Sequence, residues 1–362
     1  MGKKVLKYVG RALLVLLLTV VMLVGTLYFA IYRCCNGPSE AAKELFITTI
    51  LETGQLKFLA SWVCSDEDIQ AVVNKNTMEQ MDTTINEDLI KINTNDSDGD
   101  GTPEPVATDE VFDANGIRIE EISGRSFFGK MMIIQDPSKV KVGSVYNNGW
   151  PTYGKNLDEI VTGAGCIAGV NGGLYVSTGN KGGQPMGVVV QNGTITYNAP
   201  SGLTGLYLIG LTNENILVIK DMNGFSTEDV KNYVAEAGIR DAVSFQEESS
   251  DSNNHFVPLV INGEGRQLNG QGSGANPRTA IGQRADGAIL LLVTDGRGAS
   301  GHLGATAADL IGIMLEYGAI NAANLDGGSS STMYYNGSYE MTSVTFYYKN
   351  SSWKLPTAFV VQ

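Results

Sequence analysis

From Ala12 to Tyr32 the chain carries no charged side chain, and this 21-residue run of mostly Leu, Val, Thr and Ala permits few backbone arrangements. A segment that long and that apolar matches the hydrocarbon thickness of a bilayer, where only a helix satisfies all of its own peptide groups. Lys3, Lys4, Lys7 and Arg11 precede it. Because positive residues tend to remain on the cytoplasmic side, the expected topology is a cytoplasmic N-terminus with the rest of the chain outside the cell. A cleaved signal peptide is the competing reading, and it calls for a shorter apolar stretch followed by small residues. The run ends instead in Tyr28-Phe29-Ala30-Ile31-Tyr32-Arg33, so residues 1–33 read as an uncleaved single-pass anchor in the cell membrane. Cys34 and Cys35 directly after Arg33 do not suit a lipoprotein signal either.

Residues 1–33 hold five of the 25 Lys and Arg and none of the 38 Asp and Glu, which leaves 20 basic against 38 acidic side chains beyond them, a balance of −18. So acidic a segment is a poor partner for nucleic acid, and any phosphate ligand has to be held by local cations. Four cysteines in 362 residues do not make a disulfide-built scaffold. A link between Cys64 and one of the pair Cys34 and Cys35 stays open, and Cys166, in an apolar run, reads as a buried small hydrophobe.

After the anchor, apolar positions at helical spacing (Ala42, Leu45, Phe46, Ile50, then Leu56, Leu59 and Trp62) predict a helical stalk over residues 34–93. Residues 94–115 change abruptly to an acidic, Gly- and Pro-containing linker. Asp96, Asp98 and Asp100 followed by Gly101 match the first half of a calcium loop, but the position of the bidentate Glu is Ala107. A weak calcium site and a solvated linker both remain open there. No other cofactor or metal is expected, because two histidines, His255 and His302, cannot supply the imidazoles of a binuclear metal centre.

Residues 116–362 alternate short β-rich runs with Gly and Asn turns: Ile117 to Ile122, Lys130 to Ile134, Val140 to Val145, Gly187 to Val190, and a hairpin from Leu206 to Lys220. Asn192-Gly193 is a strong hairpin turn. Helices are expected over about Thr227 to Ala237 and over 306–317, the second opened by Thr306 with Asp309 three residues on and closed at Gly318. The fold class read from this pattern is α+β, a large mixed and mainly antiparallel β-sheet domain with a few packed helices. Because the helix 306–317 lies between an apolar run ending at Asp295 and another ending near Asp326, parallel strands would bring those two loops to one sheet edge.

Four segments concentrate chemistry at or beside such runs: Asn171-Gly172-Gly173-Leu174-Tyr175, Asn276-Pro277-Arg278-Thr279-Ala280-Ile281-Gly282, Thr294-Asp295-Gly296-Arg297-Gly298, and Asn324-Leu325-Asp326-Gly327-Gly328-Ser329-Ser330-Ser331. Loops at strand ends are where a rigid sheet holds reactive groups. In this order and at these separations the four segments resemble the phosphodiester glycosidase family over about residues 117–362. The resemblance implies an enzyme that cleaves the glycosidic bond of a sugar-1-phosphodiester, and in an anchored, exported chain it implies a phosphate-linked cell-surface or cell-wall glycan as the partner. A phosphodiesterase cutting the P–O bond and a non-catalytic glycan-binding module are the alternatives.

Such a reaction needs cations and N–H donors for the departing phosphate, and a carboxylate that activates water or stabilises an oxocarbenium-like transition state. Asp326 and Asp295 are the catalytic candidates. Arg278 and Arg297 suit phosphate through their guanidinium forks, and both also suit buried ion pairs with those carboxylates. Asn171, Gly172, Gly173, Thr279, Asn324, Gly327, Gly328 and Ser329 complete the expected substrate-binding set: the glycines let ligand approach bare backbone, and the Asn171 amide reads a hydroxyl or an N-acetyl group. Trp150 and Tyr175 flank these segments and suit stacking on a sugar or packing. His302 reads as a ligand contact or as a surface-loop residue. The polar segment Gln246 to His255 departs from the family pattern and looks inserted.

Overall fold

A computed structural model describes residues 2–52, 57–92, 111–250, 253–342 and 351–362. The linker and its calcium candidates Asp96, Asp98 and Asp100 lie outside the described residues. The chain divides into two units, Met1–Lys75 and Asn76–Gln362.

In the first unit the helix Gly2–Asn36 is long and apolar enough to cross a membrane, and almost none of its apolar stretch is buried by protein. Helices Glu40–Leu51, Phe58–Val63 and Asp66–Lys75 follow. Ser39 caps the first of these three by accepting the Ala42 N–H at 3.2 Å, and acids crowd the first turn of the last, where the helix dipole favours them. Cys35, Ile47, Cys64 and Val72 form a small core, and Lys75 pairs with Glu44 at 2.8 Å across two helices.

The second unit is the expected α+β domain, but its strands divide among three main antiparallel sheets rather than one. The largest has seven strands, in the order Ile117–Ser123, Phe128–Ile134, Ile289–Thr294, Thr279–Arg284, Ala319–Asn324, Pro258–Ile261 and Glu264–Gly265. A five-stranded sheet runs Ser338–Met341, Met333–Tyr335, Ala168–Asn171, Thr357–Val361, Val140–Ser144. The other five-stranded sheet runs Thr194–Ala199, Gly187–Gln191, Ile239–Gln246, Leu206–Thr212, Leu217–Asp221. One core draws on all three, with Met132, Ile209, Ile281, Leu291, Val170 and Phe359 among its members. Each sheet buries its other face under one helix: Ala307–Glu316 on the largest, Leu157–Gly163 and Thr227–Glu236 on the two smaller. Central strands buried on both faces explain why Ile289–Thr294 reads as a continuous apolar run without alternation.

The local signals act as expected. Thr306 and Asp309 form a reciprocal capping box, Thr306 N–H donating to Asp309 Oδ2 at 2.8 Å and Asp309 N–H to Thr306 Oγ1 at 3.2 Å. Asn192 and Gly193 adopt φ of 48° and 70°, the left-handed pair that a tight hairpin requires. Within the polar segment Gln246 to His255, Glu248–Ser250 pairs with Asn253–His255 as a two-stranded ribbon. At its base Glu247 receives Arg266 bidentately at 2.6 and 2.8 Å.

Strands Ile289–Thr294 and Ala319–Asn324 are each antiparallel to Thr279–Arg284, which lies between them, so they run in the same direction. Their C-terminal loops, carrying Asp295 and Asp326, therefore leave one edge of the sheet. The N-terminal end of Thr279–Arg284 brings Arg278 and Thr279 to that edge as well.

Candidate functional site

At this edge the four sequence segments converge, joined by a continuous set of hydrogen bonds. Asn171, ending its strand in the five-stranded sheet, donates through Nδ2 to the main-chain carbonyl of Asp326 at 2.6 Å. Its Oδ1 accepts from Thr279 Oγ1 at 2.7 Å and from the Thr332 N–H at 3.2 Å. Asn171 and Thr279 are both fully buried. The expectation that the Asn171 amide faces a ligand is therefore corrected: the amide is spent on clasping loops of two sheets together.

The same correction applies to much of the expected binding set. Gly172 and Gly173 donate their N–H groups to Thr357, at 3.1 Å to its carbonyl and 3.2 Å to its hydroxyl. A Cβ on Gly173 would sit 2.3 Å from the Ser244 carbonyl oxygen, so glycine is demanded there by the approach of another backbone rather than by a ligand. The Arg278 guanidinium donates to the carbonyls of Ala305 and Gly274, at 3.3 and 2.8 Å, and to Ser273 at 3.2 Å, and it lies over the Phe256 ring. It is 5% exposed and braces the loop instead of facing phosphate. Asn324, 2% exposed, donates to the Phe256 carbonyl in the interior. Trp150 packs between Tyr146 and Tyr197 and donates to the Thr196 carbonyl at 2.9 Å, which is the packing reading of that residue.

Asp326, Arg297 and Ser329 lie close together at this edge. The Ser330 hydroxyl, the Gly327 N–H and the Arg297 charge all act on the Asp326 carboxyl. These three favour the carboxylate, but burial outweighs them and holds the group up at about 6, near neutrality. The Tyr175 hydroxyl lies 2.9 Å from that of Ser330. Burial first, then the charge of Asp326, pushes the Tyr175 phenol up.

Arg297 has a φ of +53°, uncommon for a residue with a side chain and characteristic of functional loops. Its Nη1 donates to Ser329 Oγ at 3.0 Å and its Nε to Asn276 Oδ1 at 3.3 Å. Gly328, at φ +62°, makes this possible: a Cβ there would lie 2.6 Å from the Arg297 Nη2. Its own N–H goes to the Pro277 carbonyl at 2.8 Å, so the pair Gly327-Gly328 is not the open anion nest expected of it.

Asp295 is engaged at both oxygens. One accepts the Phe128 N–H at 2.7 Å, the other meets His302 Nδ1 at 2.7 Å. Sequence reasoning missed this pairing and the Tyr175–Ser330 contact beside Asp326. The closeness of His302 to Asp295, seven positions apart in a glycine-rich loop, was the one available signal. No cluster of three or more His, Cys, Asp or Glu side chains suited to a metal ion occurs among the described residues.

Sheets sharing one core, with chemistry gathered at the edge of the largest, define a fold that is also found in the zebrafish N-acetylglucosamine-1-phosphodiester alpha-N-acetylglucosaminidase catalytic domain, a structure described as auto-inhibited by its pro-peptide. The two superpose with a TM-score of 0.51 at 20% identity, over 68% of this chain and 82% of that one. The phosphodiester glycosidase family model matches residues 164–362, and the chain belongs to that family. A putative exported protein from Burkholderia pseudomallei aligns at 16% identity over 65% of this chain and 74% of that one, with a TM-score of 0.41. The SPbeta prophage-derived uncharacterized protein YomE of Bacillus subtilis is 45% identical over 64 residues, which are 18% of this chain and 10% of that protein. The match thus spans a tenth of that relative's length.

Proposed function

We propose that the second unit hydrolyses the glycosidic C–O bond of a sugar joined through its anomeric carbon to a phosphodiester. The observation that carries this reading is the Asp326 carboxyl, held at about 6 within reach of the Arg297 charge. A carboxyl near neutrality gives or takes a proton readily, and a guanidinium beside it receives the phosphate. The leaving group, a phosphate monoester, is already a weak base, so charge stabilisation matters more than strong protonation of the departing oxygen. Asp326 draws a proton from the attacking water, Ser330 and Tyr175 orient the carboxyl, and Arg297 with Ser329 holds the phosphate. Asp295 acts from behind, through His302.

The N-terminal helix supports a membrane-anchored hydrolase. Lys3, Lys4, Lys7 and Arg11 on its N-terminal side favour a cytoplasmic N-terminus and an extracellular second unit. Its substrates are then phosphate-linked glycans of the cell surface or wall, and the enzyme serves polysaccharide metabolism without nucleic acid or cofactor.

Hydrolysis in ¹⁸O-labelled water tests the reaction. Label in the released sugar supports C–O cleavage. Label in the phosphate means a phosphodiesterase, and glycan binding without turnover means a binding module; either result removes the proposal.

A further inference from the structure

We propose that His302 is a second phosphate-binding cation of this site, its imidazolium aligned by Asp295 and engaged as the glycosidic bond breaks; the inference rests on the reaction proposed above. Asp295 bridges the Phe128 main chain and His302 Nδ1, so the imidazole is tied through a carboxylate to the end of a buried strand. With Nδ1 donating to Asp295, the outward group is Nε2, which has no hydrogen-bond partner among the described residues. The side chain is 32% exposed, so a ligand reaches it from solvent.

Main-chain hydrogen bonds bring the Arg297 and His302 segments of the loop side by side. Gly298 donates to the His302 carbonyl at 2.6 Å and Arg297 to the Leu303 carbonyl at 3.0 Å, while Gly304 and Ser126 close the base at 2.9 and 3.0 Å. A histidine that served only to pack would turn its second nitrogen to protein. A histidine free on a surface loop would not hold a carboxylate whose other oxygen is already engaged by main chain.

Charge balance gives the second cation its task. A bound phosphodiester carries one negative charge. When water adds its oxygen to the anomeric carbon and the C–O bond breaks, the electron pair leaves with the phosphate, which becomes a dianion, and the water's proton passes to Asp326. Arg297 matches the charge present in the ground state. An imidazolium at Nε2 matches the charge that appears only as the bond breaks, and such differential contact accelerates the step rather than tightening substrate binding.

The chain has only two histidines, so imidazole signals are readily assigned. The full chain in detergent micelles, labelled with ¹⁵N at histidine, is titrated with inorganic phosphate, and His302→Gln identifies the signal. The expected result is a saturable shift of the His302 signal and a fall of roughly tenfold or more in phosphate affinity in His302→Gln. On a sugar-1-phosphate methyl diester, His302→Gln and Asp295→Asn should each lower kcat about 10²-fold with KM nearly unchanged, and the double variant should lose no more than either alone. Phosphate binding that depends on Arg297 yet leaves the His302 signal unmoved overturns the inference without touching the hydrolysis reading, and absence of phosphate binding overturns it too. A responding His302 signal in a chain that releases no labelled sugar upholds the anion site and removes the hydrolysis.

Discussion

Asn171 donates to the main-chain carbonyl of Asp326 at 2.6 Å, so an amide at the end of one sheet holds the catalytic candidate at the edge of another. Replacing Asn171 by Ala strands that carbonyl, the Thr279 hydroxyl and the Thr332 N–H in a buried place. A loss of about 3 kcal/mol is expected, read as a lower denaturant midpoint at unchanged slope, together with loss of turnover. An Asn171→Ala chain of native stability would show that the clasp has no energetic weight.

Asp326→Asn separates catalysis from stability. The native carboxyl titrates at about 6, whereas an unfolded Asp titrates near ~3.9. The folded state therefore binds the proton more tightly, and stability falls as pH rises from about 4 through 6, with the full cost present above that window. The variant should lose turnover at least about 10³-fold yet gain on the order of 1–3 kcal/mol at pH 8, and it should melt like the parent at about pH 4. Parallel melting curves across pH would contradict the buried carboxyl.

Arg297→Gln removes the cation that favours the Asp326 carboxylate. The carboxyl should move further up, carrying the acidic limb of the pH–rate profile to higher pH, while KM for a phosphodiester substrate rises roughly tenfold or more. An unshifted limb would place the charge of Arg297 elsewhere in the reaction.

Two glycines should respond in opposite senses to alanine. In Gly173→Ala the new methyl meets the Ser244 carbonyl at 2.3 Å, and backbone cannot yield cheaply; a cost of about 3 kcal/mol is expected. Gly312 lies exposed within the helix Ala307–Glu316 with nothing within 4 Å of the added carbon. Gly312→Ala should therefore stabilise by about 0.5–1 kcal/mol. Thermal melts of the pair check both signs.

What could be read from the sequence was what is local. Thr306 with Asp309, Asn192-Gly193 and the run Ile289–Thr294 each announce their element through neighbouring residues alone. The division of the strands among three sheets was not legible, because pairing partners such as Ala358 and Asn171 are far apart in the chain. Asp326 and Arg297 stood out as a carboxylate and a guanidinium in glycine-rich loops, and the fold brings the two together. Asn171, Gly173 and Arg278 stood out for the wrong reason: an amide, a bare backbone or a guanidinium looks the same in sequence whether it meets ligand or protein. Which way each turns depends on packing between sheets, and so does the meeting of His302 with Asp295.

The strand Thr357–Val361 is inserted between Val140–Ser144 and Ala168–Asn171, and Thr357 anchors Gly172 and Gly173 beside the site. A nascent chain that has emerged from the ribosome only as far as Asp326 thus already contains both carboxylates and Arg297 but lacks the strand that seats their neighbours. The order of synthesis therefore leaves the seating of Gly172 and Gly173 to the segment that emerges last of these.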